Sequence, residues 1–197
     1  VHQAGLTLIT NRQAQTAQKA AQVRGQLEQL VAEGTGLESI VWAMADQTRK
    51  GVIVQDKRLL PIAMWSHPTL SSVWNDILQS LTDPDRLPKG WTDRKRVANW
   101  RSIEHQVLPG GLSRLITPIV VKDVARGYLS LIGVAEELDA LDTLVAEQGA
   151  EACALEMAKE KAVSTVTKQL RGEFIDALLA GRVTQKETEQ WARQLGH

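Results

Sequence analysis

The sequence predicts an α/β fold of the α+β kind, an antiparallel sheet flanked by helices with a long C-terminal connecting helix. Three observations predict it. The runs Ser113-Arg114-Leu115-Ile116-Thr117-Pro118-Ile119-Val120-Val121 and Tyr128-Leu129-Ser130-Leu131-Ile132 flank a polar turn and read as a hairpin. A shorter pair, Val52–Asp56 and Leu59–Trp65, flanks the turn Asp56-Lys57-Arg58. From Glu136 onward, apolar residues recur at alternating steps of three and four, as in a helical seam.

The elements follow in order. Residues Thr10 to Glu33 are rich in Ala, Gln, Arg, Leu and Glu and form a helix with a narrow apolar stripe (Ala14, Ala17, Ala21, Val23, Leu27, Leu30, Val31), ended by Gly34-Thr35-Gly36. A second helix spans Leu37 to about Arg49, where Leu37, Ile40, Val41, Met44, Ala45 and Thr48 keep helical spacing. Gly51 opens the strand Val52–Asp56. The returning strand holds Pro61, which cannot donate to a ladder and marks an edge or a bulge. Pro68 suits the first turn of a helix carrying Leu70, Val73, Trp74, Ile77, Leu78 and Leu81. From Thr82 to Gly111 turn formers break the pattern, with room for one short helix between Asp93 and Trp100. In the hairpin, Lys122 to Gly127 is the expected turn. The seam Leu138, Leu141, Val145, Gln148, Ala152 and Leu155 continues through Val163, Val166, Leu170, Phe174 and Ala177 to a stop at Gly181, and Thr184-Gln185-Lys186-Glu187 resembles the cap of a further helix.

Composition bounds the function. The chain has 197 residues, 43% of them apolar, enough for one core with helical extensions. Lys and Arg total 23, as do Asp and Glu, so no excess of positive charge exists to neutralise nucleic-acid phosphates. A single cysteine, Cys153, excludes an internal disulfide and fits a reducing, cytoplasmic setting. No apolar run has the length of a membrane helix. The chain opens on Val1 and closes on an unfinished pattern, and it is read as a piece of a longer protein.

No catalytic or cofactor motif is present, and His2, His67, His105 and His197 lack metal-ligand spacing, so the expectation is a non-enzyme without metal or cofactor. Gly110-Gly111 reads as a turn. Cys153, on the helical seam, reads as a small apolar residue rather than a chromophore attachment point. Asp76 and Asp83 are one candidate acid pair, read as solvated. The six Trp set against one Tyr and one Phe are unusual, and Trp65, Trp74, Trp91 and Trp100 fall in the middle third. They either line a ligand cavity or fill the core.

Two stretches carry a family resemblance. In Leu37 to Leu60 a short helix leads through Arg49-Lys50-Gly51 into Val52-Ile53-Val54-Gln55-Asp56 and a basic turn. In Ala150 to Gly181 stand Ala154-Leu155-Glu156-Met157-Ala158, Leu170-Arg171-Gly172-Glu173-Phe174 and Leu178-Leu179-Ala180-Gly181-Arg182, and Gln194-Leu195-Gly196-His197 closes the chain. These resemble the GAF-like sensor of PucR/CdaR-type bacterial transcription regulators and the helix joining it to the central domain. The resemblance implies an N-terminal helix over residues 1–35, a GAF-like sensor over 36–160, and a connecting helix with the start of the next domain over 161–197. It implies a homodimer joined through terminal helices, with DNA bound only by a C-terminal helix-turn-helix outside this sequence. It places a small-molecule effector between one sheet face and the loops after the second strand, where Trp65, Trp91, Trp100, Arg101, His105, Arg114 and Thr117 are the candidate ligand-binding residues. Trp with Arg would suit a planar or anionic metabolite. The alternatives are that Trp65, Trp74 and Trp100 are core while Arg94-Lys95-Arg96 is a solvated face, and that the domain is a dimerisation module without a ligand.

Overall fold

Five strands make one antiparallel sheet in the order β2-β1-β5-β4-β3. The structure, a computed structural model, describes residues 2–100 and 102–180, with side chains over 13–99, 102–176 and 179–180. The helices are α1 (His2–Glu33), α2 (Leu37–Thr48), α3 (Trp74–Leu81), α4 (Arg94–Trp100) and α5 (Ala140–Leu179). The strands are β1 (Gly51–Asp56), β2 (Pro61–Trp65), β3 (Glu104–Leu108), β4 (Leu112–Val121) and β5 (Val124–Val134). The chain divides into two compact units, residues 1–157 and 158–197.

Within the first unit the three inner strands, β1, β5 and β4, are buried on both faces. On one face β1, β4 and β5 present Val52, Val54, Leu115, Ile119, Leu129 and Leu131 to the helices α1, α2 and α5. Alternation sends every second residue the other way. Ile53, Leu112 and Ile132 meet Leu70, Ile77 and Leu81 of the α3 region, and Ile116, Ala125 and Tyr128 meet Leu59, Trp91 and Val97.

Local chemistry sets the corners. Arg49 closes α2 in the left-handed conformation (φ 60°), its N–H donating to the Ala45 carbonyl at 2.8 Å. Gly51 follows because the Trp74 ring lies against it, and an added Cβ would sit 2.6 Å from that ring. Both edge positions tolerate proline. Pro61 opens the edge strand β2, and Pro118 lies beyond Ile116, where the β3–β4 pairing stops. The start of α5 is capped reciprocally. Asp139 Oδ1 accepts from the Leu141 and Asp142 N–H groups, while Asp142 Oδ2 accepts from the Asp139 N–H at 3.0 Å. Beside this cap, Lys50 lays its stem over Gly133 and reaches Glu137 Oε2 at 3.3 Å.

The structure corrects several boundaries. The segment expected to be irregular up to Gly111 contains strand β3, whose Glu104, His105 and Gln106 carry no apolar alternation. Pairing with β4 makes it a strand, which no local pattern can reveal. The hairpin turn is Lys122-Asp123, both at positive φ (50° and 56°), and not the whole of Lys122 to Gly127. Such a two-residue turn matches strand twist. After Pro68 a 3-10 turn (Pro68–Leu70) precedes α3. Residues Ala135–Glu137 form another 3-10 turn, so α5 begins at Ala140 rather than Glu136. Helix α1 reaches back to His2, and its buried alanine is Ala20, while Ala14, Ala17 and Ala21 are exposed. The expected stop at Gly181, the cap at Thr184 and the closing residues 194–197 lie outside the described residues.

Burial lifts the Asp142 carboxyl from 3.8 to about 6, against the Asp139 N–H and Lys50, which favour its charge. A raised carboxyl keeps in the folded state a proton that the unfolded chain has released, so stability falls as pH rises between those two values. Asp142→Asn retains an oxygen for the Asp139 N–H and removes the charge. It should raise the Tm at pH about 7.5 and lose that advantage near pH ~4. Thermal denaturation at both pH values checks this; a variant less stable than the parent at the higher pH contradicts it.

Candidate functional site

The face of the sheet that meets α3 and α4 carries a line of polar side chains between its two apolar groups. Strand register defines it. Arg114 pairs with Ile132, Ser130 lies between Ile53 and Ile116, and Gln55 pairs with Tyr128. Arg114, Ser130 and Gln55 therefore descend diagonally across β4, β5 and β1. Diagonal neighbours stand ~7–8 Å apart. Ile53 and Ile132 belong to the apolar group under α3, and Ile116 and Tyr128 to the group around Trp91. The polar line is the seam between them.

The seam is buried and incompletely satisfied. Gln55 Nε2 donates to the Leu59 carbonyl at 2.6 Å and the Leu81 carbonyl at 2.9 Å. Its Oε1 has no partner, and neither has Ser130 Oγ, although both atoms are buried. Arg114 is 1% exposed. Its Nε donates to Gln106 Oε1 at 2.8 Å, and Nη2 donates to the Arg86 carbonyl at 2.6 Å. Both acceptors are neutral, and no carboxylate among the described residues pairs with this guanidinium. Burial lowers its pKa from 12.5 to about 10, and the charge of Arg86 adds to the effect. Ser113 Oγ, Arg126 Nε and Gln148 Oε1 also lack partners. Among the described residues, only on the seam do two such atoms share a line with a buried guanidinium.

The segment after α3 is strapped over this line. Gln55 holds it at Leu81 and Arg114 holds it at Arg86. Beyond that, Leu87 joins the apolar group around Trp91. Trp91 stacks on Tyr128 (centroids 5.9 Å apart, 20° between planes), and the Tyr128 hydroxyl donates to the Trp91 carbonyl at 2.8 Å. Burial raises the Tyr128 pKa, so the phenol keeps its proton.

The candidate ligand-binding residues are scattered over the molecule. Arg114 is at the seam, and Trp91 borders it as a core side chain. Thr117 is buried on the opposite, helical face, paired with Leu129. Trp65 (46% exposed) and His105 are exposed on the two edge strands, in rows with Leu131 and Leu115 that face the helices. Arg101 and the Trp100 side chain lie outside the described residues. Trp74 packs on the α3 group. Gln55, Ser130, Gln106 and Arg86 are additions from the structure. Gln55 and Ser130 carry a sequence signal, one polar residue in an apolar run, Gln55 after Val52-Ile53-Val54 and Ser130 between Leu129 and Leu131, whereas Gln106 and Arg86 carry none.

The remaining candidates have local roles. His67 caps the 3-10 turn at Pro68, its Nδ1 lying 2.8 Å from Thr69 Oγ1. Asp83 Oδ1 accepts from the Asp85 N–H, and Asp76 is exposed on α3. Gly110 and Gly111 take positive φ in a turn. Burial pushes the Cys153 thiol up to about 12, with Glu156 adding to it, so it stays a protonated core residue. No group of three metal-ligating side chains occurs among the described residues.

No protein-family model matches the sequence, and no curated protein matches it. Solved structures do. The GAF domain of a protein assigned as a sensor histidine kinase from Pseudomonas syringae pv. tomato is 13% identical, with a TM-score of 0.58 over 81% of this chain and 99% of that one. The cofactor binding GAF domain of the nutrient sensor CodY from Clostridium difficile is 13% identical, covering 61% of this chain and 83% of that one with a TM-score of 0.42. At this identity the first likeness establishes the fold: a GAF-type antiparallel sheet with flanking helices.

Tyr128→Phe leaves the buried Trp91 carbonyl without its donor and should cost about 1–2 kcal/mol in urea denaturation. It should also change the Trp91 emission; an unaltered spectrum and midpoint would show that Trp91 is not held through this bond.

Proposed function

We propose that this chain is a non-catalytic, small-molecule-sensing and dimerising domain of a PucR/CdaR-like transcription regulator working in the cytoplasm. The observation that carries the reading is the unmet hydrogen-bonding capacity of Gln55 Oε1 and Ser130 Oγ beside a buried guanidinium whose two hydrogen bonds go to neutral acceptors. Buried polar groups are nearly always satisfied, and exceptions point to a missing partner. A ligand in the seam is such a partner. In a regulator of this kind, contact with DNA falls to a helix-turn-helix outside this sequence.

The route from ligand to output runs along β5. Ser130 lies four residues before the end of that strand, and the 3-10 turn and the Asp139 cap of α5 follow directly. Lys50, adjoining β1, ties to Glu137 at the same corner. A ligand that prefers one arrangement of the seam thereby biases the start of α5, by no more than its preference between the two states.

Dimerisation is supported by apolar side chains on the second half of α5. Val163 and Val166 are each more than half exposed, and Leu170 is exposed on the same face of the helix. No described helix is long and apolar enough to cross a membrane, so a lipid-spanning role does not account for this stripe. A second copy presenting the same stripe does.

The alternative reading, a dimerisation module without a ligand, is favoured by the burial of Trp91 on Tyr128, where the domain fills its own face. A metabolite screen followed by tryptophan fluorescence and thermal shift separates the two. Sensing predicts a saturable response to at least one ligand class; no response to any class would favour the ligand-free module. Light scattering should give twice the chain mass, and a monomer at high micromolar concentration would remove the dimer.

A further inference from the structure

We propose that the ligand of the seam is an organic acid whose carboxylate binds Arg114 and whose other end carries an N–H or O–H donor for Gln55. This rests on the sensing reading and assigns the chemical class that reading leaves open.

The Arg114 end requires an anion. A buried cation is tolerated when a counter-charge and hydrogen bonds replace its water. Here the hydrogen bonds go to an amide oxygen and a backbone carbonyl, and a second positive charge, Arg86, lies near enough to disfavour the charged form further. The guanidinium has five N–H groups, and a carboxylate takes two of them in a fork. A cationic ligand would face both arginines and is excluded.

The Gln55 end requires a donor. Both bonds of its Nε2 go to backbone carbonyls, which fixes the amide so that Oε1 is the atom left over. Oε1 only accepts, so the group that meets it must donate a hydrogen bond. Ser130 Oγ, midway along the line, can donate or accept and fits a polar atom in the middle of the molecule.

The walls require carbon. Ile53 and Ile132 stand on one side of the line and Ile116 and Tyr128 on the other. A compact inorganic anion could satisfy Arg114 but would leave Gln55 Oε1 unpaired, because the two lie two strands apart. An acid with a short carbon skeleton and a distal amide, amine or hydroxyl meets all three residues.

The test uses the whole chain with matched probes, read by thermal shift and tryptophan fluorescence. One set is succinamate, butyrate and succinamide; another is 4-aminobenzoate, benzoate and 4-aminobenzamide; inorganic phosphate is the compact anion. Acids bearing a donor should bind best, and loss of either end should weaken binding about tenfold or more. Arg114→Met should abolish the preference for acids over amides. If that variant does not fold, Arg114→Lys, which keeps the charge and loses the fork, should retain the preference with weaker binding. Equal response to acids and their amides would overturn the assigned class and leave sensing intact. A response to phosphate as strong as to succinamate would overturn the donor end. Silence toward every probe in the parent protein would overturn this inference, while the sensing reading falls only if the wider metabolite screen is silent too.

Discussion

Everything in this domain follows from a central strand that has no face in water. β5 lies between β1 and β4, with α1, α2 and α5 on one side and α3, α4 and their loops on the other. Tyr128, Leu129, Ser130, Leu131 and Ile132 are all fully or nearly fully buried. A side chain there must be apolar or must find a hydrogen-bond partner inside the protein. Leu129 and Leu131 meet the first requirement, and Tyr128 meets the second through the Trp91 carbonyl. Ser130 meets neither from the chain itself.

That exception sits where the covering layer is divided. The α3 region and the Trp91 region each close their own apolar group, and the polar diagonal from Arg114 to Gln55 runs between them. The same side chains that line the seam hold its cover, since Gln55 and Arg114 donate to the backbone at Leu81 and Arg86. Occupation of the seam and closure of the segment above it therefore act on the same two side chains, Gln55 and Arg114. β5 leads to the capped start of α5 within five residues of Val134.

Much of this was legible in the sequence. Helical spacing in Leu37 to Thr48, the apolar strand after Gly51, the hairpin and the run after Ala140 give the fold class because each is a local pattern with its own period. Pro61 marked an edge strand correctly. Strand β3 was illegible, because Glu104, His105 and Gln106 become a strand only by pairing with β4. The tryptophans misled for a related reason. Composition says that a ring is large and apolar, and only position tells whether it fills a core, as Trp91 does, or stands on an edge, as Trp65 does. Arg114 could be singled out as a cation inside an apolar strand. Its neighbours could not, since Ser130 meets Arg114 only through the hairpin register and Gln55 joins them from a strand more than 50 residues earlier in the chain.

The central claim is that Ser130 Oγ has no partner in the free protein. Ser130→Ala removes that hydroxyl and little else, so urea denaturation without ligand reads the claim directly. A buried hydroxyl without a bond costs free energy, and its removal should leave the domain as stable as before or more stable by up to about 1 kcal/mol. A loss of about 1 kcal/mol or more would mean that the hydroxyl is satisfied within the fold, and the seam would then have no vacancy for a ligand.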